Sequence, residues 1–154
     1  MSEEENQQFA IQKLYLKDVS FESPNSPQAF MEGDWQPQIN VQINSSNQAI
    51  AENTYEVVLD ITVTAKLEER TAFLAEVKQA GIFTIAGFPE ENMGGMVGAF
   101  CPETLFPFAR EAIADLVSKG GFPQLLLAPV NFNALYTQQV QQNAAAKAEE
   151  ETAH

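Results

Sequence analysis

The stretch TYEVVLDITVTAKL, residues 54–67, limits the possible folds more than any other part of this chain. Tyr55, Val57, Leu59, Ile61, Val63, Ala65 and Leu67 share one parity. Thr54, Glu56, Asp60, Thr62, Thr64 and Lys66 share the other, with Val58 the exception. Side chains alternate across a strand with a period of two, so the stretch is a strand with one apolar and one polar face. EER then makes a tight turn into TAFLAEVKQ, where Phe73, Ala75 and Val77 repeat the apolar parity. Upstream, QINVQINSS alternates with Ile39, Val41 and Ile43 on one face.

FAIQKLYLKDVSFES also reads as a strand, but its phase changes: Leu14 and Leu16 have one parity, Val19 and Phe21 the other. A β-bulge or kink near Lys17 puts both pairs on the same face. GIFTIAGFP closes the sheet region. Four such strands with a single polar face predict an antiparallel sheet wetted on one side. Residues 24–37, PNSPQAFMEGDWQP, form a crossover loop that carries Phe30, Met31 and Trp35, heavy apolar cargo for a connector.

Helical signals follow. Pro102 is expected to divide EENMGGMVGAFC from a second segment with a stripe of Leu105, Phe108, Ala109, Ile113, Leu116 and Val117. Gly120 and Gly121 end that helix, and Asn131 caps another on which Phe132, Leu135, Tyr136 and Val140 share one side. The fold class is α+β, a four-stranded antiparallel sheet with helices over one face. Residues 9–142 are expected to form one domain, with residues 1–8 and the low-complexity acidic stretch 143–154 as disordered tails.

Acidic residues outnumber basic ones 21 to 8, for a net charge of -13. That field disfavours nucleic acid and anionic lipid and favours a basic partner. MSEEENQQ lacks the layout of a signal peptide, and no run approaches the roughly 20 apolar residues of a membrane span. Direct membrane insertion is not expected, and a reducing cytoplasm is the expected setting.

The residues of catalysis are missing. The single histidine, His154, is the terminal residue, and the single cysteine, Cys101, sits in an apolar run that suits a buried, inert thiol. The glycines of NMGGMVGAF lack nucleotide-loop spacing and suit close helix packing, and Glu68–Glu69 and Glu90–Glu91 fit solvated turns. No enzyme activity, metal or cofactor is expected. Two surfaces remain. With the bulge, Asp18, Ser20 and Glu22 join Glu56, Asp60, Leu74 and Glu76 on the outer sheet face, a mostly acidic plane with one leucine that suits a basic segment. Phe30, Met31, Trp35, FPQLLLAPVNF and the last helix exceed what a single sheet face buries, which points to subunit packing or an apolar groove.

LKDVSFESPNSP, DWQP, YEVVLDITVTA, TAFLAEV, GIFTIAGF, GAFCPETLFPFARE and GGFPQLLLAPVNFNALY, in this order, resemble the SecB family of bacterial protein-export chaperones from about Phe9 to Gln142. The resemblance implies a SecB-like sheet with a crossover loop and two main helices, assembled as a homotetramer, a dimer of dimers. It implies ATP-independent binding of unfolded precursor proteins, held export-competent and delivered to the motor SecA. Family docking of the basic, zinc-bearing C-terminal segment of SecA maps onto Asp18, Glu22, Leu74 and Glu76. The client groove maps onto Trp35, Phe132, Tyr136 and Val140. The rival readings are a carrier of a small apolar ligand, which predicts a closed pocket within one subunit, and an enzyme using Cys101.

Overall fold

The computed structural model describes residues 6–152. Residues 1–5, most of the expected N-terminal tail, lie outside them, as does His154. Strand β1 spans Gln8–Glu22, β2 Gln38–Ala51, β3 Thr54–Leu67 and β4 Arg70–Ala86, with a short helix α1 at Gln28–Met31. All pairings are antiparallel and the spatial order is β1-β4-β3-β2. Two tight turns join β2 to β3 and β3 to β4, where Ala51 pairs with Thr54 and Leu67 with Arg70. Each turn needs one left-handed residue, supplied by Asn53 at φ 53° and Glu68 at φ 58°. The crossover loop carries the chain from the β1 edge to the β2 edge, a Greek-key arrangement.

The phase change in β1 is a bulge at Lys17, between Leu16 and Asp18. Because of it, Leu16 opposite Gln79 and Val19 opposite Val77 face the same side. A second irregularity, at Gln12, matches a further phase change, from Phe9 and Ile11 on odd positions to Leu14 and Leu16 on even ones. The apolar parity of β3 and β4 forms the core: Val57, Leu59, Ile61, Val63, Phe73, Ala75, Val77, Phe83 and Ile85 are all buried. At roughly 1.5–3 kcal/mol for each large side chain removed from water, this face is what holds the sheet to its cover.

The cover is α3, Cys101–Lys119, lying over β4 and β3. Its buried stripe is Cys101, Pro102, Leu105, Phe106, Ala109, Ile113 and Val117. Phe106 therefore replaces the expected Phe108, which is 43% exposed on the flank toward β1. At about 100° per residue, Phe108 falls some 60° outside Leu105 and beyond the sheet's reach.

Pro102 does not divide the helical region. Helix α2, Glu90–Gly95, continues through a π-helical turn, Met96–Phe100, into α3, and the backbone stays helical across both joins. The Cys101 N–H donates to the Met96 carbonyl, five residues back. This wider turn precedes a proline that has no N–H to give and whose ring would crowd the carbonyl four residues earlier. The helix ends as expected. Gly121, at φ +88°, lets its own N–H reach the Ser118 carbonyl and the Phe122 N–H reach that of Val117.

Helix α4 spans Phe132–Thr152. The Asn131 Oδ1 accepts the Ala134 N–H at 3.0 Å, closing its first turn. The stretch expected to be a loose tail after Gln142 is helical to Thr152, because alanine, lysine and glutamate are strong helix formers.

Candidate functional site

The two faces of the sheet present different chemistry. On the outer face, Glu22, Leu74 and Thr64 form one cross-strand row; Ser20, Glu76 and Thr62 form the next; Asp18, Lys78 and Asp60 form a third. At about 4.8 Å between strands and 6.8 Å per residue pair along them, Asp18, Glu22, Leu74 and Glu76 fall in a patch some 14 Å long. Asp18 and Glu22 are exposed, and Leu74 and Glu76 are half-buried. Thr62 Oγ1 donates to Glu76 Oε2 at 3.0 Å and fixes that carboxylate. Burial, and then the neighbouring Glu76 charge, push the Asp60 carboxyl above its ordinary range. Asp60 Oδ1 is buried and accepts no hydrogen bond from the described residues.

Glu56 departs from the expected acidic plane. It is 9% exposed, and three side chains close over its carboxylate. Lys17 Nζ donates to both oxygens, at 2.9 and 3.1 Å, Gln48 Nε2 donates at 3.0 Å, and the Tyr15 hydroxyl donates to Oε2. The Tyr15 and Lys17 bonds hold this acid below the usual carboxylate range, while burial and the same contact push Tyr15 up to about 12. The bulge that turns Asp18 outward also frees Lys17 to reach across to β3. Glu56 is consumed internally, and the accessible acids lie toward the Glu22 end.

On the helix side, α3 lies over β4 and β3 and leaves much of both edge strands exposed, although Phe9, Leu14, Phe21 and Ile43 pack against the core. Along β2, Ile39 pairs with Ala65, Val41 with Val63 and Ile43 with Ile61, which places all three on the core face. Ile39 and Val41 nonetheless remain 37% and 38% exposed. One end of this strip meets Trp35, whose ring lies 5.4 Å from Phe122 and 6.4 Å from Phe73, with Phe30 also against Phe122 at 4.9 Å. The other end opens on a mixed cleft of about 260 Å³, where Ile43, Gly98, Phe132, Leu135 and Tyr136 share the lining with Asn44, Ser45, Gln138, Gln139 and Gln142.

Phe132 is buried edge-on against Phe106, 5.6 Å away. Tyr136 lies across Gly94 and Gly98, where a β-carbon at either glycine would collide with it. Gly94 and Gly98 of NMGGMVGAF thus let α4 approach, whereas Gly95 faces open space. Val140 is 46% exposed and lies outside the cleft. The structure therefore joins Phe132 to Tyr136, sets Trp35 apart at the far end of the β2 strip, and leaves Val140 aside. Leu135 and Ile43 take its place. Both carry a sequence signal, Leu135 on the apolar side of α4 and Ile43 on that of β2.

Cys101 is fully buried and its thiol is pushed up to about 12 by that burial, so it holds no accessible thiolate.

Residues 2–143 match the model of the family described as preprotein translocase subunit SecB. The chain belongs to the SecB family. Protein-export protein SecB of Nitrosococcus oceani is 62% identical over 144 residues, covering 93% of this chain and 88% of the relative. That of Methylococcus capsulatus is 60% identical over 144 residues, 92% of each. Among solved structures, the Mycobacterium tuberculosis SecB-like chaperone in complex with an antitoxin peptide aligns with a TM-score of 0.67 at 16% identity, covering 79% of this chain and 90% of the other. This likeness carries the fold: a SecB sheet with helices over one side. Among the described residues, no helix is long and apolar enough to cross a membrane.

Proposed function

We propose that this SecB-family chain is an ATP-independent, cytoplasmic export chaperone that holds unfolded precursor proteins along the β2 strip and hands them to SecA. The observation that carries the reading is the separation of chemistry between the faces of one sheet. An apolar strip runs from Trp35 past Ile39, Val41 and Ile43 to Phe132 and Tyr136, while the acids of Asp18, Glu22 and Glu76 stand on the opposite face. An unfolded chain exposes apolar side chains, and a strip of alternating aliphatic groups ending in aromatic clusters covers them without demanding a sequence.

The acidic patch suits a cationic segment with one apolar side chain, seated on Leu74 beside Glu22 and Glu76. The zinc-bearing C-terminal segment of SecA is the proposed occupant. A second bare surface, Ile11, Leu16 and Val19 on β1 with Phe100 and Phe108, lies on the other flank of α3 and suits packing between subunits of a homotetramer. A small-ligand carrier needs an enclosed cavity, whereas the β2 strip is open along its length.

The test has two arms. Solution mass with and without an unfolded precursor should show a tetramer that retains the precursor without ATP. Asp18→Lys or Glu22→Lys should weaken SecA binding at least tenfold and leave precursor retention unchanged. Equal loss of both activities would refute the separation of surfaces.

A further inference from the structure

We propose that Asp60 positions Glu76 of the outer face by sharing a proton with it, and that a cationic segment docking there drives this proton off, so that docking strengthens as pH rises. The proposal rests on the docking reading above and adds how the acidic face answers its occupant. On that face Asp60 pairs with Lys78, which pairs in turn with Asp18. Glu76 pairs with Thr62, one step along, so Asp60 and Glu76 are diagonal neighbours, with backbones some 7–8 Å apart and side chains within reach. Asp60 Oδ1 is buried, and no donor among the described residues reaches it. A buried carboxylate oxygen without a donor is costly. An acid that keeps its proton needs an acceptor instead, and Glu76 supplies one. The two carboxyls lie in hydrogen-bond contact, which two ionised acids cannot make. Thr62 Oγ1 donates to Glu76 Oε2 at 3.0 Å, and a donated bond favours the ionised form, so the proton belongs to Asp60.

The charged groups facing Asp60 are few. Burial, and then the Glu76 charge, favour the protonated acid; Lys78 of β4 opposes them, and the Glu76 hydrogen bond and Asp18 of β1 add to them. Lys17, at the β1 bulge, is held by Glu56. β2 brings only Asn44, Ser45 and Ser46 to the hollow beside Asp60, and none of them titrates. An ammonium or guanidinium that pairs with Glu76 takes the acceptor that Asp60 was using. The Asp60 O–H is then without a partner beside a new positive charge. Its O–H bond breaks, the proton passes to water, and the carboxylate left behind attracts the segment. By reciprocity, raising the pH through the Asp60 titration strengthens docking. The gain is about two- to fivefold, what one exposed charge pair contributes.

The experiment uses the full chain and a short lysine-rich peptide carrying one leucine, with affinity measured at fixed ionic strength from about pH 5 to pH 8, above the ordinary aspartate value. Asp60→Asn cannot ionise, but its amide still donates to Glu76, so it mimics the protonated acid at every pH. The two proteins should bind alike at the acid end, and wild type should gain about two- to fivefold over Asp60→Asn toward the alkaline end. In the unaltered chain, carbon-13 detection should show the Asp60 carboxyl titrating above the ordinary aspartate range, with its midpoint moving down on saturation with peptide. An unmoved midpoint overturns the proposal even where the variant fails to fold. Peptide binding with a ratio between the two proteins that stays constant with pH gives Asp60 a structural role alone and overturns the linkage while docking stands. A peptide that binds at no pH refutes the docking reading and the linkage together.

Discussion

Replacing Gly98 with alanine tests how α4 is seated. A β-carbon there would lie 2.5 and 2.6 Å from two ring carbons of Tyr136. Carbon–carbon contact settles near ~3.5 Å, so the ring must retreat by roughly 1 Å. Alanine in a helix is favoured over glycine by about 1 kcal/mol, so the substitution alone should stabilise the segment. Against this stands the packing that Tyr136 forfeits. A fully buried aromatic is worth roughly 1.5–3 kcal/mol, and a half-buried one about half of that. The two terms nearly cancel in Gly98→Ala, which should leave the stability of the folded chain within about 0.5 kcal/mol of wild type. In a Tyr136→Ala background there is no ring to displace, and the same change should stabilise by about 1 kcal/mol. The double-mutant cycle, read by urea unfolding of all four proteins, should therefore give a coupling of about 0.75–1.5 kcal/mol, the packing that the ring forfeits. Precursor affinity should fall in Gly98→Ala although its stability barely moves, since the wall of the cleft has shifted. An equal stabilisation in both backgrounds would show that the ring does not rest on Gly98 and that α4 is held some other way.

Glu56→Gln keeps an acceptor but loses the charge facing Lys17 and should cost about 1–2 kcal/mol at neutral pH. Since the folded carboxyl titrates below its unfolded value, the ionised form favours the fold: its contribution is complete above about pH 4.3 and fades as pH falls through the lower folded value. The gap between wild type and Glu56→Gln in denaturant titrations should close on acidification, and a constant gap contradicts the ion-pair account. Phe108→Asp places a charge on a side chain that the single chain leaves 43% exposed, so helical content should persist while solution mass drops below that of the proposed tetramer. Unchanged mass removes Phe108 from the subunit interface. Cys101→Ala leaves a small void in the core, at a cost of about 1–2 kcal/mol, and should retain precursor as well as wild type in a pull-down. Loss of retention by a stably folded variant would mean that the thiol acts.

Much of the sheet was readable because the signal of a half-buried strand is strong. Seven alternating apolar positions place β3, and the phase change in β1 locates the bulge at Lys17. The second half of β2 was less legible, since Ser46, Asn47 and Gln48 have poor strand preference and are held extended by pairing with Val58, Val57 and Glu56. The π-helical turn before Pro102 was hidden because the rule that proline breaks a helix allows for no wider turn. Phe106 and Phe108 were exchanged because both sit near the border of the apolar arc, where the position of the sheet decides. For the outer patch, parity alone placed Asp18, Glu22, Leu74 and Glu76 together. No such rule links the crossover loop to α4, so the separation of Trp35 from Tyr136 along β2 required coordinates.

The strand that builds the core also dictates where the acidic patch stands. Phe73, Ala75 and Val77 alternate with Leu74, Glu76 and Lys78 on β4, so burying the first set fixes the second on the opposite face. β1 has to satisfy the same condition with Leu14 and Leu16 on one parity and Val19 and Phe21 on the other. Without the extra residue at Lys17, either Asp18, Ser20 and Glu22 would turn toward the helices or Leu14 and Leu16 would turn toward the acids. The bulge reconciles both demands, and it sends Lys17 across to neutralise Glu56 at the far end of that face. The charge left accessible is thereby concentrated around Glu22, Glu76 and Asp18, with Leu74 among them. A patch positioned by the core cannot drift when a client fills the β2 strip, because moving it would mean breaking the pairing that buries Val77 and Phe73. On the reading proposed above, docking and client capture share a sheet and should be alterable one at a time.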